Sequence, residues 1–216
     1  MNKIKLINKL KQKKYRDEFG LFTVEGDKLI EEIPKNLLEF VIDVEEIGEK
    51  NFKKLSELTT PQKKIAVCKK FSANQFSNSE LTIVLDRIQE PNNVGAILRS
   101  TAAANFKDII LLDGTADIYN SKSIRASMGA IFHLNIFHMS EDEFLEKNFN
   151  LIAAHIEGVD YRNFELQKNS ALILGNEGQG ISKKILNQSK KITIPIKNIE
   201  SLNVNAAAAI LIFHFA

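Results

Sequence analysis

The stretch LILGNEGQGIS, residues Leu172 to Ser182, ends an apolar run with three glycines in six residues and sets Asn176 and Glu177 between them. A short aliphatic run bounded by glycine reads as a buried strand. Glycine removes the Cβ and admits positive φ, so the chain after this strand can turn sharply or let another group come close. The order is G-x-x-G-x-G, not the G-x-G-x-x-G of dinucleotide folds, and no Lys-Ser/Thr pair follows the last glycine as in a phosphate-binding P-loop. The loop therefore suits a flat ligand that carries little phosphate and is gripped mainly by backbone groups. A tight strand-to-helix connection is the alternative reading.

Around this stretch, strands and helices alternate. LTIVLD (81–86), DIILLD (108–113), NLIAAH (150–155), ALILG (171–175) and KITIP (191–195) read as strands. NNVGAILRSTAAANF (92–106), SKSIRASMGAIF (121–132) and LNVNAAAAILIFHF (202–215) read as helices. Near-continuous apolar strands alternating with helices predict an α/β fold with a mostly parallel sheet covered by helices on both faces. The polar stretch KKFSANQFSNSE (69–80) separates this region from short strands and charged helical pieces before it. A boundary near residue 78 is expected, with a small α/β domain over 1–78 and the larger one over 79–216.

In open parallel sheets, ligands sit beyond the carboxyl ends of the strands. Three loops there share one chemistry: DRIQEPNNVGAILR after Leu85, GNEGQGIS after Leu174 and PIKNIESLNVN after Ile194. They are rich in Gly, Pro, Asn and Glu and hold no histidine. Asn93 stands where a helix begins, and Gly95 leaves that helix's first turn open to approach. Arg99 follows, and because helical side chains lean toward the N-terminus its guanidinium is expected near the ligand edge. Ser201 and Asn203 flank Leu202 at the start of the last helix, where N-capping is the simpler role. Glu177 reads equally well as a solvated loop carboxylate.

With 44% hydrophobic and 26% charged residues, the 216-residue chain has the composition of a soluble globular protein. Net charge is only +2, but residues 1–78 hold 16 Lys/Arg against 12 Asp/Glu, and the first sixteen hold seven cations and no acid. Of these, Lys11, Lys13, Lys14 and Arg16 are candidates to meet a polyanion, since each phosphate contact releases counterions. One cysteine, Cys68, permits no internal disulfide and suits a reducing compartment. The opening residues lack the apolar core of a secretion signal. The most apolar run, Ala206 to Ala216, is about half the ~20 residues of a membrane-spanning helix. A cytoplasmic protein is expected. His133, His138, His155 and His214 have no ligand spacing, so no metal is expected, and no G-x-S-x-G elbow is present.

Several of these segments occur together in one known family. QEPNNVGAILRSTAAANF, IRASMGAIFHL, LILGNEGQGIS and IPIKNIESLNVNAAAAILIF, spanning about residues 81–216, closely resemble the ordered motifs of SpoU-type (TrmH-like) RNA 2′-O-ribose methyltransferases. RDEFGLFTVEGDKLIEE resembles the start of the ribosomal-protein-like substrate-binding domain many members carry. The resemblance implies a deep C-terminal trefoil knot, S-adenosylmethionine as methyl donor, and a homodimer through the knotted domain. It places cofactor contacts on Gly175, Gly178, Gly180, Ile194 and Leu202. The family's catalytic set falls on Asn93, Arg99, Glu177, Ser201 and Asn203. Structured RNA is the implied substrate, ribosomal RNA before transfer RNA, held by the N-terminal domain and its basic arm. A non-catalytic RNA-binding module and a nucleotide-dependent oxidoreductase are the alternatives. Two positions depart from the family pattern: Asn105 and Asn198 stand where glycine is usual, and the 195–201 loop is about one residue short.

Overall fold

Six parallel strands form the larger of two sheets, in the order Asn135–Met139, Asp108–Leu112, Leu81–Asp86, Ser170–Gly175, Asn150–Asp160 and Lys190–Thr193, and three antiparallel strands form the smaller, in the order Leu21–Glu25, Lys64–Lys69 and Leu38–Asp43. The computed structural model describes residues 2–73, 75–77 and 79–216. The expected domain boundary falls at Asn78, outside the described residues. The chain opens with α1 (Lys3–Leu10) and α2 (Lys13–Phe19), then β1 (Leu21–Glu25), α3 (Asp27–Glu31) and β2 (Leu38–Asp43). It continues through α4 (Val44–Ile47), α5 (Glu49–Leu55) and β3 (Lys64–Lys69). The larger unit runs β4 (Leu81–Asp86), α6 (Pro91–Ala103), β5 (Asp108–Leu112), α7 (Ser121–Ser127), β6 (Asn135–Met139) and α8 (Glu141–Leu145). It ends with β7 (Asn150–Asp160), β8 (Ser170–Gly175), α9 (Lys183–Leu186), β9 (Lys190–Thr193) and α10 (Val204–His214).

Alternate residues of the central strands feed two cores, as the period-two geometry of a strand requires. Ile83, Leu85, Ile109, Leu111, Leu172 and Leu174 pack on one face with α6 and α10. Val84, Ile110, Leu112, Ala171 and Ile173 pack on the other with Phe144 of α8 and Ile185 of α9. Two-sided burial explains why these strands read as continuous apolar runs. The sequence reading passes over β6 and α8, because NIFHM and EDEFL are five residues each and carry little periodic signal. It also ends β7 at His155. The strand runs on to Asp160, losing and regaining register with β9 between Ala154 and Val159.

The basic amino-terminal arm is folded. Lys3–Leu10 and Lys13–Phe19 are helical, and Ile7 and Leu10 are buried in a core with Phe52, Leu55 and Val67 on one face of the small sheet. The other face, including Phe22, Val24, Ala66 and Cys68, joins the core of the larger unit. The Cys68 thiol is buried and pushed up to about 12 by desolvation, which removes its thiolate chemistry. Tyr119 pins the connection between the sheets: its hydroxyl accepts from the Phe71 N–H (3.0 Å) and donates to the Phe71 carbonyl.

Candidate active site

Strands β4, β8 and β9 end at one edge of the sheet, and the three candidate loops leave from there. After β4, Glu90 caps α6 by accepting from the Asn92 N–H, with Pro91 in the first helical turn, where its missing N–H costs nothing. This cap leaves the Gln89 and Glu90 amides directed at the glycine loop, where they donate to Glu177 Oε2 (3.2 Å) and Oε1 (3.3 Å). Asn93, buried in the first turn of α6, donates from Nδ2 to Glu177 Oε1 at 2.9 Å. Its Oδ1 accepts from Asn205 Nδ2, also at 2.9 Å. Partial burial pushes the Glu177 carboxyl up. The hydrogen bonds from Asn93 and the loop amides outweigh it, so the group sits below its ordinary value and is ionised at neutral pH.

The glycine loop is closed on itself. Asn176 and Gly180 exchange backbone hydrogen bonds (3.2 and 2.9 Å), and Asn176 Oδ1 accepts from the amides of Gly178 and Gln179. Within the chain itself, the close approach in this loop is at Gly175. A Cβ there would lie 2.4 Å from the Ile181 nitrogen, whereas at Gly178 the nearest atom is 3.8 Å away and at Gly180 nothing lies within 4 Å. Gly180 is needed for its φ of 68°. Gly95 is also closely approached. What approaches it is α7, with Ser123 O 2.4 Å and Ala126 Cβ 2.6 Å from a built Cβ, so this glycine serves helix packing.

The third loop differs. Among the described residues, no hydrogen bond joins residues 194–202 to any other segment. Ile194 and Leu202 are half-buried, while Ser201 is exposed and without a partner. Asn203 caps α10, its Oδ1 accepting from the Asn205 N–H at 2.9 Å. The cap therefore orients Asn205, which reaches Asn93. Asn198 sits at φ 67° and Asn105 at φ 62°, so asparagine takes the left-handed geometry at both positions where the family pattern has glycine.

The structure thus joins Asn93, Glu177 and Asn203 through Asn205, a residue the sequence reading missed. Its signal was the N-x-N spacing at a helix start. Arg99 is not in this cluster. Six residues beyond Asn93, at about 100° per residue, it points roughly 240° away around the helix axis. It is exposed and makes no side-chain hydrogen bond or ion pair with any described residue.

Arg16 is a correction. It is 4% exposed; Nε and Nη2 donate to Asp117 Oδ2 (2.9 and 2.8 Å), and Nη1 donates to the carbonyls of Leu10 and Lys11. It ties the two units together, buried, with four of its five N–H donors already committed. Lys13 bonds to Asp17, whose carboxyl Lys13 and Lys70 hold down to about 2, and Lys11 donates to the Lys54 carbonyl. Lys14 remains exposed with its ammonium near the Tyr15 ring. Among the described residues there is no group of three His, Cys, Asp or Glu able to hold a metal ion. No helix among them is long and apolar enough to cross a membrane.

The chain matches the SpoU rRNA Methylase family over residues 80–213 and an MRM3-like substrate binding domain over residues 1–42. It is 30% identical to the Bacillus subtilis 23S rRNA (guanosine(2553)-2′-O)-methyltransferase RlmP, covering 98% of this chain and 95% of that one. Its fold is similar to an AdoMet-bound rRNA methyltransferase from Sinorhizobium meliloti, with a TM-score of 0.88 at 27% identity over 97% of this chain and 92% of the other. It is similar also to an RNA 2′-O ribose methyltransferase, with a TM-score of 0.84 at 28% identity, covering 97% and 93%.

Proposed function

Because the chain belongs to the SpoU rRNA Methylase family, we propose that it transfers a methyl group from S-adenosylmethionine to a ribose 2′-OH of RNA, ribosomal RNA being the preferred substrate. The observation that carries this reading is the pairing of two unlike loops at one sheet edge: a self-bonded glycine loop beside nine residues, 194–202, whose backbone groups pair with no other segment. Such a donor set fits a neutral heterocycle and a zwitterionic amino acid better than a chain of phosphates. Gly175, Gly178, Gly180, Ile194 and Leu202 line the segments that would hold the cofactor. Bound there, S-adenosylmethionine supplies a sulfonium methyl that needs no further activation.

The residues of this chain then position the acceptor. Arg99, with no counter-ion among the described residues, stabilises the ribose oxygen as its proton passes to water and grips the adjacent phosphate. Its guanidinium acts here as a fixed cation, not a base. Asn93, Glu177 and Asn203 hold the site's shape, with Ser201 free to bond the ribose. RNA is held by the unit over residues 1–78, with Lys11 and Lys14 as its phosphate contacts; Arg16 serves the domain interface.

The same reading makes the larger unit a knotted homodimer. In support, α10 follows edge strand β9 yet packs on α6 and β8, away from that edge. Four of the six large apolar side chains exposed among the described residues lie on the β7 tail and α10: Ile156, Val159, Ile210 and Phe213. A patch of this kind marks an association surface. A cytoplasmic location suits the single reduced thiol.

The test uses methyl-labelled S-adenosylmethionine and ribosomal RNA from cells lacking the protein, followed by alkaline hydrolysis. A 2′-O-methyl group blocks cleavage of the next phosphodiester, so label is expected in alkali-resistant dinucleotides. Label in mononucleotides, or none in RNA, would refute the assignment.

A further inference from the structure

Arg87 follows the last residue of β4 and has φ 56°, in the left-handed region where a long side chain is uncommon. Such a conformation persists only where its surroundings over-determine it. Its amide donates to the Thr115 hydroxyl (3.2 Å), which donates in turn to the Leu85 carbonyl (2.9 Å). Its carbonyl accepts from Asn176 Nδ2 at 2.8 Å. The backbone is thus fixed from both sides, and one of the fixing groups belongs to the glycine loop.

The guanidinium is used as completely. Nε and Nη2 donate to the two oxygens of Asp86 (2.7 and 3.1 Å), a carboxylate only 1% exposed. Asp86 Oδ2 also accepts from the Ser182 N–H at 2.7 Å. On its other edge, Arg87 Nη1 donates to Gln179 Oε1 and Nη2 to the Gly180 carbonyl, both at 3.3 Å. One planar cation therefore joins the end of β4 to the far limb of the glycine loop. Asn176, Gln179 and Ser182 are tied to Asp86–Arg87 at three points, and Glu177 lies between the first two.

We propose that Arg87 is a positioning residue for the methyl transfer: by tying the buried Asp86 carboxylate to Gln179 and Gly180 it holds the glycine loop closed and Glu177 against Asn93. The proposal rests on the reading of this loop as the cofactor site. Arg87 acts through the loop and needs no contact with substrate. Its planar two-edged donor set is what the task demands, since a lysine ammonium has the charge without the ability to span the carboxylate and the loop at once.

Arg87→Gly is the informative variant because glycine accepts φ 56° without strain, so the guanidinium is lost while the backbone is relaxed. Three measurements follow: thermal melting, calorimetry with S-adenosylhomocysteine, and carbon-13 NMR titration of the Glu177 carboxyl, assigned with Glu177→Gln. Glu90, the carboxylate on the facing turn, is engaged with Asn92. The account predicts a lower melting temperature than wild type, because the buried Asp86 carboxylate loses its counter-charge, and a Glu177 pKa that rises toward its ordinary value. It predicts an affinity for S-adenosylhomocysteine about tenfold weaker, the scale of one lost charge-assisted hydrogen bond. Arg87→Lys restores neither Glu177 nor affinity. An unchanged Glu177 titration in Arg87→Gly, or a lysine variant equal to wild type, would overturn the proposal. Failure of the wild-type protein to bind S-adenosylhomocysteine would count against the cofactor reading, while the titration would still decide the role of Arg87.

Discussion

The glycine loop, residues 175–182, and the segment 194–202 both leave the carboxyl edge of one parallel sheet, yet the first is bonded to itself and to the β4 loop throughout, and the second hydrogen-bonds to no other segment among the described residues. The first is a finished part. Its amides and carbonyls are largely spent on Asn176, Gly180, Arg87 and Asp86, which fix where Glu177 stands. The second keeps its backbone donors and acceptors in reserve. Rigid placement of charge on one side and open hydrogen-bonding capacity on the other is how a site positions a reaction while admitting a ligand.

The largest effect comes from a residue outside both loops. Arg99→Ala leaves the bonded and the open segment untouched, so S-adenosylhomocysteine affinity measured by calorimetry should stay within about twofold. Single-turnover methylation should fall by about 10²–10³, as for loss of one fixed oxyanion stabiliser. A rate within a few-fold of wild type would make Arg99 a surface arginine and leave the chemistry to the loops alone.

Next in size is a change that breaks the finished loop. In Gly175→Ala the new methyl meets the Ile181 nitrogen at 2.4 Å, a backbone atom that can yield only if the loop opens. Urea denaturation should show a loss of about 1–3 kcal/mol, the scale of overpacking, with S-adenosylhomocysteine binding abolished. Gly178→Val, into open space, should change stability by no more than about 0.5 kcal/mol and weaken ligand binding alone. Equal destabilisation by both variants would mean that the loop is not the closed unit described.

A smaller effect is read through pH. Glu177 is held below its ordinary value by Asn93 and the loop amides, so its folded-state pKa lies under the unfolded one. A depressed carboxylate adds stability that is complete above the unfolded value near ~4.3 and is lost as pH falls through the folded value. The stability gap between wild type and Glu177→Gln should therefore be constant from neutral pH down to about 5 and close in more acid solution. A gap that does not change with pH would remove the carboxylate from the network.

Much of this was legible in the residues. The two-sided strands announced themselves as unbroken apolar runs, and the glycine spacing marked a tight loop without showing which glycine the chain itself packs against. Gly175 looked like the end of a strand, and only the folded loop shows Ile181 lying on it. Arg16 looked like one more cation in a basic run because its partner, Asp117, lies 101 residues away in sequence. Asn205 and Arg87 were passed over for the same reason: each acts by joining loops that are distant in the chain. Local pattern shows which residue types gather at an edge. It does not show which of them spend their hydrogen bonds on one another.

The smallest effect belongs to the open segment. Asn198 holds φ 67° where glycine would be at ease, so Asn198→Gly should change stability by less than about 1 kcal/mol, through relief of the left-handed conformation opposed by a freer unfolded chain. Its melting curve should nearly overlay that of wild type, and a large shift would show that Asn198 makes bonds in the free protein that the account denies it.

Hydrogen–deuterium exchange with and without saturating S-adenosylhomocysteine addresses both loops in one measurement. In the free protein, the amides of Gly178, Gln179 and Gly180 should be slow and those of residues 196–202 fast. With the ligand bound, the second group should slow by at least about tenfold while the first changes little. If binding is confirmed by calorimetry and residues 196–202 still exchange at their free rate, the open segment is not the ligand-completed half of the site, and the account is wrong at its centre.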